Sequence, residues 1–140
     1  MSPEQNKAVL HRIVEEGFNQ RKSDVLDELV ADDFVGHHLP PGLPAGREGL
    51  KAFMNGFFTA FPDIHFTFED EVAQGGKVAG RGHFVGTHQA EFMGIAPTGN
   101  RIDVKFHDIW RFEDGRFAEY WGQADTLTML QQLGAIPTSD

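Results

Sequence analysis

The sequence predicts an α+β domain: a curved, mainly antiparallel sheet wrapped around N-terminal helices, forming a cone with one internal pocket. Two observations carry this. Helical periodicity marks three segments between residues 3 and 61 and returns only at the end, whereas period-two alternation dominates from Ile64 to Gln123. The strand region also holds Gly80, Gly82 and Gly86, which let a sheet bend around a cavity instead of lying flat.

The elements follow in order. Ser2 caps a first helix, with Pro3 at its first position and Gln5 completing a capping box. Val9, Leu10, Ile13, Val14 and Phe18 share its apolar stripe, and it ends near Asn19-Gln20. A short second helix runs from Ser23 to about Val30. Asp32 to His38 reads as a loop entering a short extended segment, so the helices precede the sheet. The stiff run with Pro40, Pro41, Gly42, Pro44 and Gly46 is a surface loop. The third helix spans Arg47 to Phe61 with a wide apolar stripe that includes Phe57, and Pro62 ends it.

Ile64, Phe66 and Phe68 alternate with polar residues, Gly75-Gly76 turns the chain, and Lys77 to Thr87 forms a bulged or bent strand. Arg101 to Phe112 is the longest strand. Asp114-Gly115 makes a hairpin turn into a return strand from Phe117 to Gln123. Asp125 caps a last helix that Gly134 closes.

Composition narrows the function. The chain, one domain over residues 1–140, carries 21 acidic and 12 basic side chains, a net charge of −9, which argues against nucleic acid and anionic membranes. It has no cysteine, so neither a disulfide nor a thiolate ligand is possible. No signal-peptide pattern or membrane-length apolar run is present, and the cytoplasm is the expected compartment. Thirteen Phe stand against one Tyr and two Trp. They suit a bulky core, and equally a pocket for a flat apolar molecule.

Several ordered strings give the chain a resemblance: Ala60-Phe61-Pro62-Asp63, Gly86-Thr87-His88, Phe92-Met93-Gly94-Ile95-Ala96-Pro97-Thr98-Gly99, Arg111 to Arg116, and Leu130-Gln131-Gln132-Leu133-Gly134. It resembles the SnoaL-like polyketide cyclases, in the fold group of nuclear transport factor two, ketosteroid isomerase and limonene epoxide hydrolase. The resemblance implies a pocket between the concave sheet face and the helices. It also implies a homodimer through the outer sheet face and acid–base chemistry without a cofactor. In the cyclases an aspartate on the last strand is thought to shuttle a proton during an intramolecular aldol closure. The matching position here, directly after Trp121, is Gly122.

The acid–base candidate therefore moves to Asp108. Parity puts it on one strand face with Val104, Phe106, Trp110 and Phe112, among side chains that raise a carboxyl's pKa by desolvation. His37 is the second catalytic candidate. In extended chain His37 and His38 point oppositely, one toward the pocket mouth, and His37 is the closer match to the polar residue common there in the family. Arg81 and His83 share a strand face and are expected to orient a substrate oxygen. Tyr120 is expected to donate to one, and Phe57, Phe106 and Trp110 are substrate-contacting candidates. No His-x-His pair or His-Glu-x-x-His helix is present, and no metal is expected. Three readings remain: an acid–base enzyme acting on a small apolar oxygenated molecule, a non-catalytic binder of such a molecule, and a structural dimer.

Overall fold

The computed structural model describes residues 2–137. Its elements are α1 (Pro3–Arg12), a π-helical extension (Ile13–Asn19), α2 (Ser23–Leu29), β1 (Val30–Gly36), α3 (Arg47–Ala60), β2 (His65–Gln74), β3 (Lys77–Thr87), β4 (Arg101–Glu113), β5 (Arg116–Ala124) and α4 (Thr126–Gln132). The five strands form one open mixed sheet in the order β1-β5-β4-β3-β2.

Local chemistry sets most boundaries. The Ser2 hydroxyl accepts from the Gln5 N–H at 3.1 Å, and the Gln5 side chain accepts from the Ser2 N–H at 2.8 Å. Asp125 accepts from the Thr128 N–H at 3.1 Å and so starts α4. Asp114 and Gly115 both adopt positive φ, 52° and 77°, the primed geometry that matches the twist of the β4–β5 hairpin. Asp63 accepts from the Thr87 N–H and hydroxyl at 2.7 and 2.8 Å, which ties the corner after α3 to the end of β3.

Three details differ from the expectation. The segment after α2 is a strand from Val30, and it pairs in parallel with β5, so a strand joins the sheet between the second and third helices. The irregularity sits in β2, between Phe68 and Asp70, opposite the Gly82–Arg81 step. The glycine-bearing β3 pairs continuously with β4 from Lys77 to Thr87; glycine permits a bulge but does not compel one. The first helix ends in a π turn, a device frequent at functional sites.

The core has two lobes on one side of the sheet. In the first, Leu10, Ile13, Val14 and Phe18 pack with Val78, Trp110, Phe112 and Phe117. In the second, Phe61 and Ile64 meet Phe84, Ile102, Val104 and Phe106, closed by Met129 and Leu133 of α4. Each buried Phe ring contributes about 2 kcal/mol. Phe58, Phe66 and Phe68 pack against both lobes. The Asn19 carboxamide brackets Phe66, donating to its carbonyl at 3.0 Å and accepting from its N–H at 2.8 Å, and so covers part of the β2 edge.

Candidate active site

Between the helices and the inner sheet face lies a cavity of about 650 Å³, within the range of small-molecule sites. Phe18, Phe53, Phe57, Phe84, Phe106 and Trp110 form much of its wall. Val14 and Phe18 reach it from the π turn. The polar side chains in its lining are His38, Asp108, Tyr120, Gln123 and Thr126, with the Trp110 indole. Among the described residues Asp108 is the one acidic side chain in that lining, and no Lys or Arg borders it.

β4 positions Asp108. Ile102, Val104, Phe106, Trp110 and Phe112 on even positions are buried, and the intervening odd positions face outward. Asp108 shares the inward parity and is 9% exposed. Its sheet neighbours on both sides are glycines, Gly80 on β3 and Gly122 on β5. A side chain at Gly80 would strike the Phe68 ring, 2.7 Å away, so that ring lies directly over the glycine. Phe68 also meets Phe106 edge-on at 5.2 Å and Trp110 at 6.0 Å.

This aromatic surround removes water from the carboxyl. Burial pushes the Asp108 pKa up to about 7, and hydrogen bonding from Tyr120, then Trp110, pulls the other way. The Tyr120 hydroxyl donates to Oδ1 at 3.1 Å. The Trp110 indole N–H belongs to the same pocket but makes no well-formed hydrogen bond among the described residues, so its pull on Asp108 is the weaker of the two. Burial, the Asp108 charge and that hydrogen bond raise the Tyr120 pKa further above its usual range, so Tyr120 stays a donor. Asp108 Oδ2 has no hydrogen bond among the described residues and remains available.

The structure brings Asp108, Tyr120, Phe106, Trp110 and Phe57 to one cavity. It places the other three predicted residues elsewhere. His37 lies on the outer face, with Nε2 2.6 Å from Glu119 Oε2 and its ring stacked on Trp121 at 5.0 Å. His37 and then Arg111 hold the Glu119 carboxyl below its usual range. Arg81 is also outside, donating to Asp70 at 3.1 Å and Glu69 at 3.2 Å. His83 Nδ1 lies 2.9 Å from Asp103. The reason is parity: Val78 and Phe84 fix the even positions of β3 inward, with Gly80 and Gly82 between them.

His38 is the histidine at the cavity. His37 and His38 lie in the turn beyond β1, where no strand alternation tells which of the two faces the cavity. His88 is buried and structural: Nδ1 accepts from the Thr98 N–H at 3.2 Å and lies 3.0 Å from its hydroxyl, holding the loop after β3. Among the described residues no three His, Asp or Glu side chains cluster as a metal site. No helix among them is long and apolar enough to cross a membrane.

Fold and site together define a class of protein: an open sheet backed by helices, enclosing an aromatic cavity with one buried acid. The chain belongs to the SnoaL-like polyketide cyclase family, whose model matches residues 8–133. Solved structures agree. TsrD from Streptomyces laurentii is 26% identical, with 97% of this chain and 99% of that chain covered and a TM-score of 0.88. IdmH from Streptomyces antibioticus, a proposed polyketide cyclase, is 37% identical over 93% of this chain and 99% of its own, with a TM-score of 0.80. AclR from Streptomyces galilaeus, a proposed hydroxylase, is 27% identical over 99% and 87%, with a TM-score of 0.85. No curated protein matches the chain.

Proposed function

We propose that this protein is a polyketide-cyclase-like catalyst that works without a cofactor on a small, flat, oxygenated and largely apolar molecule, with Asp108 moving the proton. The observation that carries this is one buried carboxyl, poised at about 7, in the wall of an aromatic cavity. As base, Asp108 Oδ2 takes a proton from a carbon beside a carbonyl. The C–H electron pair forms the enolate C=C bond, and the carbonyl π pair moves onto the oxygen. In a ring closure the enolate carbon then attacks a second carbonyl of the same molecule, and the new alkoxide recovers the proton from Asp108. Tyr120 holds the carboxylate through Oδ1. Phe57, Phe106 and Trp110 are the surfaces against which a flat ring stacks. The test is deuterium exchange into 2-tetralone, a flat neutral ketone with acidic C–H bonds, followed by NMR in D2O. Exchange above the buffer rate is expected. Its absence, with binding intact, supports the second reading, a ligand carrier without turnover. Gly122, standing where the resemblance places the cyclase aspartate, favours that reading.

The ligand class follows from charge. With Asp108 in the lining and no Lys or Arg among its described residues, an anionic ligand would enter desolvated and unpaired. A neutral naphthol should therefore raise the Tm by mass action, and the equally sized 2-naphthoate should not. Equal shifts from the two would overturn the charge argument.

The homodimer is part of the proposal. On the outer sheet face Ile109 is 42% exposed and Val72 71%, and both border a shallow groove with Trp121. Covering such a patch with a second copy removes apolar surface from water. Sedimentation should give a dimer for the wild type and a monomer for Ile109→Arg. A monomeric wild type would refute this part alone.

A further inference from the structure

We propose that Gly122 is a positioning residue of the site: its missing side chain is what lets Tyr120 fold back along β5 and hold Asp108. This rests on the reading of Asp108 as the working acid–base group.

The argument is one of register. Asp108 pairs with Gly122, and Trp110 pairs with Tyr120, so Tyr120 starts one inward position away from the carboxyl it serves. To reach Oδ1, its ring must cross the β5 backbone at residue 122. A Cβ there would fall on the Tyr120 hydroxyl and ring carbon Cζ, well inside contact distance, and 2.8 Å from Asp108 Oδ1. Gly122 is not needed for its backbone: it is absent from the glycines with positive φ, and it sits inside a regular strand. Any side chain must therefore displace the tyrosine, the carboxyl or both. Trp110 meets the Tyr120 ring edge-on at 6.2 Å and Phe117 does so at 6.1 Å, which fixes the ring over the glycine.

Two consequences follow. Oδ1 is committed to Tyr120, so Oδ2 is the atom that meets a ligand. A substitution at position 122 therefore disturbs the Tyr120–Asp108 pair, both of whose members line the cavity.

The chain has one tyrosine, so its phenolate absorbance reports Tyr120 alone, with no ligand required. In wild type the phenol should resist titration until alkali unfolds the protein. In Gly122→Ala it should ionise at lower pH in the folded state, because the ring has left its buried position beside Asp108. Carbon NMR should show the Asp108 carboxyl of Tyr120→Phe titrating about one pH unit higher than wild type, since a donor to the carboxylate is lost. Should Gly122→Ala fail to fold, Gly122→Ala combined with Tyr120→Ala decides the matter. With the ring gone the methyl meets only Asp108 Oδ1, the end of a side chain that can turn away, so folding should return. A double variant that stays unfolded while Tyr120→Ala alone folds, or a Gly122→Ala protein with wild-type Tyr120 and Asp108 titrations, overturns the proposal. Those outcomes leave the ligand and exchange tests untouched, and a failed ligand screen leaves this titration standing.

Discussion

Asp108→Asn is expected to make the folded protein more stable at pH 8, raising the Tm by about 10 °C, while leaving it unchanged near pH 4. The carboxyl ionises near 3.8 in its ordinary state and near 7 in the fold, because burial penalises its charge. Between those values the native state binds more protons than the unfolded chain. Stability therefore falls as pH rises through this window, and the loss is complete above it. The difference corresponds to about 4 kcal/mol. Asparagine keeps an acceptor for the Tyr120 hydroxyl and carries no charge, so it resembles the protonated acid. Other carboxyls titrate nearby, Asp63 and Glu119 with lowered pKa values, but they are shared by both proteins and cancel in the comparison. Paired melts across pH 4–8 measure the gap. A gap independent of pH, or a less stable variant at pH 8, would show that Asp108 is an ordinary hydrogen-bonded acid.

The same substitution is expected to remove catalysis. Deuterium exchange into 2-tetralone should drop by about 10²–10⁴-fold in Asp108→Asn, the usual worth of a positioned general base. In wild type the rate should rise with pH through about 7 and then level off, since the base works only when ionised. The first experiment guards the second, because a variant that is more stable than wild type cannot be inactive through unfolding. Wild-type exchange rates in Asp108→Asn would remove Asp108 from the mechanism. Lost exchange joined to gained stability is the pattern expected where a fold tolerates a buried charge for its chemistry.

Much of the fold could be read because its signals are local. A capping box, an Asp-Gly turn and a glycine after the last helix each act within a few residues. The alternation along Arg101 to Phe112 is strong because large apolar side chains fill one face, so Asp108 could be placed without a structure. β3 lacked that clarity. Gly80 and Gly82 occupy its inner face and carry no apolar signal, while Ala79 and Val85 on the outer face do. Nothing in that pattern turns Arg81 and His83 outward. His37 and His38 lie in the turn after β1, so no alternation in the sequence reports that His38 is the one at the cavity.

The class of fold, the strand that carries the acid and the face on which that acid lies are all legible in the order of residues. These depend on backbone periodicity and on where hydrophobic side chains must be buried. What Asp108 touches is set by the folded chain. Its bond to Tyr120, the ring of Phe68 over Gly80 and the ring of Tyr120 over Gly122 depend on how three strands align. The parallel seating of β1 against β5 is decided the same way. Register between distant segments is set by the packing of the whole core, so no local pattern records it.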